Sequence, residues 1–150
     1  ATAAMAAAMT AAVTAAACGP RSGAWAVDAI DAPCGGLSTD LRFELEHHGG
    51  RGYALRLDPG AVWPDEGTEL WCERAHGWVA CDGWNTFDLD QVGLDASGEA
   101  YTEVDAELTS AWTMAGTVST AYDCRGDDCP TIDALGSGDC GPVAFEASVD

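Results

Sequence analysis

Apolar and polar positions alternate with a period of two along most of the chain beyond its first twenty residues. Leu41, Phe43, Leu45 and His47 alternate with Arg42, Glu44, Glu46 and His48, the pattern of a strand with one dry face and one wet face. Gly49-Gly50-Arg51-Gly52 predicts a turn, Tyr53 to Leu57 a second alternating strand, and Asp58-Pro59-Gly60 its end. A hairpin follows over Leu70 to Cys81, with His76-Gly77 as its two-residue turn. Phe87 and Leu89 alternate with Asp88 and Asp90, and Asp95-Ala96-Ser97-Gly98 reads as the next turn. Val104, Ala106 and Leu108 then alternate with Glu103, Asp105 and Glu107, and the stretch Ala111 to Tyr122 places Trp112, Met114 and Val118 on one face. Val143, Phe145, Ala147 and Val149 close the chain in strict alternation.

Alanine and leucine between Asp105 and Ala115 would tolerate helix, but no apolar stripe of period 3.6 persists there. About eight or nine short strands separated by turn clusters predict an all-β fold, an antiparallel β-sandwich or barrel, and the pattern does not separate the two. At 150 residues the chain suits one such domain, expected over residues 24–150.

Seven cysteines cannot all pair within one chain, so one is set apart. Counting rungs from the His76-Gly77 turn puts Cys72 opposite Cys81 on a non-hydrogen-bonded pair, where Cα atoms lie about 4.5 Å apart, within disulfide reach. Treating Gly126-Asp127 as a second hairpin turn puts Cys124 and Cys129 on an equivalent rung. Cys34 and Cys140 remain for each other, joining the start of the domain to its end. Disulfides of this density belong to an oxidising compartment.

The seventh thiol, Cys18, ends a run of seventeen Ala, Thr, Met and Val residues without a charge. That run has the character of an export signal, and it is too short and weakly apolar for a membrane span. Ala15-Ala16-Ala17-Cys18 resembles the lipobox of bacterial lipoproteins, although Ala15 stands where leucine is usual. The resemblance implies cleavage before Cys18, lipid attachment to its sulfur, and a membrane partner reached through that anchor. Residues 18–23, with Gly19 and Gly23, read as anchor and flexible tether. Plain secretion and an Ala/Thr-rich linker are the alternatives.

Charge narrows the partners further. Against 25 acidic residues stand six arginines and no lysine, a formal net charge of −19. Nucleic acid and anionic lipid are poor partners for such a surface.

No catalytic or nucleotide-binding fingerprint is present, and no cofactor is implied. Four tryptophans, Trp63, Trp71, Trp78 and Trp84, fall within one short stretch. Burial in the core is the ordinary fate of such residues, but flat indoles on a sheet face would also make a platform for sugar rings or other apolar ligands. If Leu70, Cys72, Val79 and Cys81 face inward, the register turns Trp71 and Trp78 outward.

Glu44, Glu46 and His48 read as a solvated strand face rather than a metal site. Asp88, Asp90, Asp95 and Glu99 read as an acidic turn lacking the order of a calcium loop. Arg125-Gly126-Asp127, inside Cys124-Arg125-Gly126-Asp127-Asp128-Cys129, resembles the looped RGD of integrin-binding disintegrins, and the same residues are what a turn needs for backbone reasons. The leading expectation is an extracytoplasmic, lipid-anchored domain that binds an unidentified ligand or envelope protein. A small hydrolase using carboxylates and an adhesion module acting through Arg125-Gly126-Asp127 are the alternatives.

Overall fold

The computed structural model describes residues 19–57, 69–134 and 139–150. Among these residues eight strands form one sheet: β1 (Gly23–Ile30), β2 (Arg42–His47), β3 (Gly52–Leu57), β4 (Glu69–Ala75), β5 (Trp78–Asp88), β6 (Ser97–Ser110), β7 (Thr113–Arg125) and β8 (Cys140–Val149). Each runs antiparallel to its neighbours in sequence, and β1 pairs with β8 to close a barrel. Closure leaves no exposed sheet edge along that seam, which a sandwich would have kept.

The alternation read in the sequence becomes inside and outside of this barrel. Trp25, Val27, Phe43, Leu45, Tyr53, Leu55, Leu70, Cys72, Val79, Cys81, Val104, Leu108, Met114, Val118 and Phe145 are buried together. Eight strands enclose a space that side chains alone can fill. The buried hydroxyls of Thr102 and Thr120 hydrogen-bond each other at 3.1 Å, so neither is stranded in the core.

Both ends are covered. At one, the β1–β2 connection folds back on itself through reciprocal Cys34 and Leu37 backbone hydrogen bonds of 3.1 and 2.9 Å. Gly35 in that loop has φ +60, and a Cβ there would lie 2.8 to 2.9 Å from Thr102, Val118 and Thr120, so only glycine lets the plug sit this deep. At the other end, Gly19 and Pro20 are buried. The Arg21 amide donates to the Ala111 carbonyl at 3.0 Å, and Trp25 Nε1 donates to the Arg21 carbonyl at 2.8 Å. Residues expected as a flexible tether thus lie against the barrel.

β5, β6 and β7 rise beyond their neighbours and carry a second apolar cluster of Phe87, Leu89, Ala96 and Ile132. A short helix, α1 (Cys129–Ala134), contributes Ile132 to it.

Three disulfides join Cys34 to Cys140, Cys72 to Cys81 and Cys124 to Cys129, consistent with an extracytoplasmic location. His76 and Gly77 take positive φ of 52 and 84, as a tight hairpin turn requires, and set Cys72 opposite Cys81. The second hairpin argument is corrected. Cys124 lies on β7 opposite Gly98 of β6, but Cys129 opens α1 and has no strand partner. Asp95 replaces hairpin pairing there: its carbonyl accepts from Asp128 N at 3.0 Å and its carboxylate from Asp127 N at 3.1 Å.

Three other expectations shift. β5 continues through Phe87, and Asp90–Val92 is a 3-10 turn rather than strand. β6 already includes Ser97 and Gly98, which had read as a turn. Trp112 belongs to the β6–β7 turn and is exposed, while Met114 and Val118 point inward. β1 had no counterpart in the sequence reading, because a register shift between Val27 and Ala29 interrupts its alternation.

Candidate binding face

The described inward side chains pack together as core, and the exposed candidates stand on the outer wall. Leu70, Cys72, Val79 and Cys81 all face the core, so the intervening Trp71 and Trp78 point outward and are about half exposed. Cross-strand pairing carries one outer row from Ala54 through Trp71, Asp82 and Glu103 to Ser119, and a neighbouring row from Trp84 through Tyr101 to Ala121.

Trp71 lies along the wall. A Cβ at Gly52 would come within 2.7 Å of its ring, its pairing partner Ala54 is buried, and the His48 ring sits 5.6 Å away. Beside it Arg56 bridges Glu46 and Glu69, at 2.5 and 2.8 Å. That guanidinium occupies the acidic face of β2, and no group of three His, Cys, Asp or Glu side chains among the described residues is arranged to hold a metal.

Among the described residues Trp84 is the most exposed of the large hydrophobic side chains, at 68%, and its ring rests 4.8 Å from that of Tyr101. The Tyr101 hydroxyl lies 3.0 Å from Asp82 Oδ2 and 3.3 Å from Glu103 Oε1, donating its one proton between them. The bond to Asp82, then desolvation and the charges of both acids, pushes the phenol up to about 12. Because this value exceeds the ordinary 10, the bond's contribution to stability is present at neutral pH and is lost as pH climbs from about 10 through about 12. An Asp82→Asn variant is expected to return the phenol toward its ordinary value in an ultraviolet pH titration. An unchanged midpoint would contradict this arrangement.

Tyr101 and Glu103 also edge an open cleft of about 490 Å³ between the barrel wall and the start of β8, whose other walls include Ser119, Ala121, Asp139 and Gly141. That volume lies within the range of small-ligand sites. Asp139 is held in place by accepting from the Tyr122 amide at 2.8 Å. Exposed rings thus adjoin oriented carboxylates and hydroxyls. Such a surface can stack on the flat C–H face of a ring while accepting hydrogen bonds from groups at its rim. The sequence reading named Trp84 but missed Tyr101, Asp82 and Glu103, whose shared signal was their outward parity on adjacent strands.

The other candidates fall elsewhere. Trp63 and Cys18 lie outside the described residues. Arg125 and Asp127 are exposed, and the loop between them is fastened to Asp95 at the far end of the extended strands. Asp88 serves its own turn, accepting from the Asp90 amide, and Asp95 ties the 126–128 loop by accepting from the Asp127 amide. No protein-family model, curated protein or solved structure matches this chain.

Proposed function

We propose that this chain is an extracytoplasmic, lipid-anchored barrel domain that binds an oligosaccharide or similarly hydroxylated ligand on the Trp84–Tyr101 face. The carrying observation is the exposed Trp84 ring set against Tyr101, whose hydroxyl orders Asp82 and Glu103 beside an open cleft.

Tryptophan fluorescence against a panel of glucose, mannose and N-acetylglucosamine oligomers tests the ligand class. A saturable change is expected with at least one, and Trp84→Ala is expected to weaken it roughly tenfold, the equivalent of about 1.4 kcal/mol for a lost stacking surface. No response across the panel overturns the sugar assignment. Glu103 and Asp139 edge the same cleft, so turnover of any oligomer, abolished by Glu103→Gln, would replace binding with hydrolysis. The anchor has its own test, the intact mass of the mature protein extracted from membranes. Acyl chains on Cys18 support it, and an unmodified thiol overturns it.

A further inference from the structure

Net charge hides how the barrel sorts its charges. In an up-and-down barrel, alternate connections share an end. The end entered by Gly19 also holds the 48–51 connection, the His76-Gly77 turn, the Ala111-Trp112 turn and the last residue of the sequence, Asp150. These connections contain Arg21, Arg51, His48 and His76, and the single acid among them, Asp150, is paired with Arg42 at 2.9 Å. The described connections at the opposite end carry Asp31, Asp40, Asp90, Asp95, Asp127, Asp128, Asp133 and Asp139 and no base.

The same end is aromatic. Trp112 sits half exposed in its turn with the Arg21 guanidinium 4.3 Å above its ring, and Trp78, also half exposed, follows the neighbouring turn. Glu107 shares a rung with Trp78, Glu73 stands nearby on β4, and Glu46 lies 3.8 Å from His48, so the acids nearest this end stand on the outer wall behind its connections, where Trp78 also stands. The distant acids matter little to a surface touching this end, because a Debye length of about 8 Å at physiological salt screens charges at the other end of the barrel.

We infer that this end docks on the headgroup layer of an anionic phospholipid bilayer, with Trp112 at the interface and Arg21 and Arg51 against the phosphates. Indole rings favour that depth, and arginines are drawn to it. The inference deepens the membrane side of the proposed function, placing the acidic end and the extended strands away from the lipid. It does not depend on acylation, because the contacts belong to described residues beyond Cys18.

The test uses the full chain carrying Cys18→Ala, floated with vesicles of phosphatidylcholine alone or mixed with phosphatidylglycerol. Binding is expected only to the mixed vesicles and should fall with added salt. Reversing both arginines, Arg21→Glu with Arg51→Glu, is expected to weaken it at least about tenfold, since each basic residue near such a surface contributes about fivefold. Trp112→Ala should weaken it too. Asp31→Asn with Asp40→Asn should leave it unchanged, although that pair alters net charge as surely as an added arginine would.

Equal flotation on neutral vesicles would overturn the inference, as would indifference to the arginine reversal in a variant that melts like the parent. So would retention on soluble heparin without flotation. These outcomes leave the oligosaccharide titration and the Cys18 mass untouched, and failure of either of those leaves flotation standing.

Discussion

A Cys34→Ala/Cys140→Ala variant is expected to lose about 5 kcal/mol of stability, the most of any of the three disulfides. In the chain-entropy picture the effect grows with the loop that the bond closes in the unfolded state, and here the partners are 106 residues apart. Separations of 9 and 5 residues predict only about 2 to 3 kcal/mol for Cys72–Cys81 and Cys124–Cys129. The native state adds to the ranking. Cys34 holds the plug whose Gly35 lies against Thr102 and Val118, so freeing it uncovers one end of the core. Against a total of about 5 to 15 kcal/mol for a domain of this kind, the double variant would be close to unfolded. Urea denaturation of the three disulfide-deleted variants checks the order. A larger loss from either short-range pair would refute it.

Trp25→Ala is expected to cost about 3 to 5 kcal/mol, the range for emptying a large aromatic site. Trp25 is 0% exposed, stacks with Phe43 at 6.3 Å, and is the largest fully buried side chain among the described residues. Its indole N–H also holds the Arg21 carbonyl. The substitution should therefore loosen the Gly19–Ser22 segment as well as the core, and trypsin should cleave after Arg21 faster at temperatures where the barrel remains folded. Trp25→Phe refills most of the volume without the donor, so it should lose less stability yet still speed that cleavage. Equal protection of Arg21 in all three proteins would show that packing alone holds the segment.

The tryptophans show how far parity could be read. Cys72 and Cys81 share a rung because of the two-residue turn between them, and the same counting turns Trp71 and Trp78 away from the core once Leu70 and Val79 are seen to face inward. Trp112 defeated that method, because it stands in a turn, where period two has no meaning. β1 defeated it through a bulge, and α1 because six residues beginning at a cysteine carry no helical stripe. In the candidate site, Trp84 stood out by size, but Asp82, Tyr101 and Glu103 are ordinary surface residues until cross-strand pairing brings them together.

Strand periodicity and the tight turn at His76-Gly77 were legible because each is a local relation between residues a few positions apart. Closure into a barrel, the plug at Gly35 and the contrast between the two ends were decided by tertiary structure. A net charge of −19 is a sum and contains no positions. The composition counted against anionic lipid as a partner, whereas the meander gathers alternate connections at one end, and among the described residues those connections hold one acid, Asp150. Screening makes the sorting matter, since a surface responds to the charges within about a nanometre of it and not to the total.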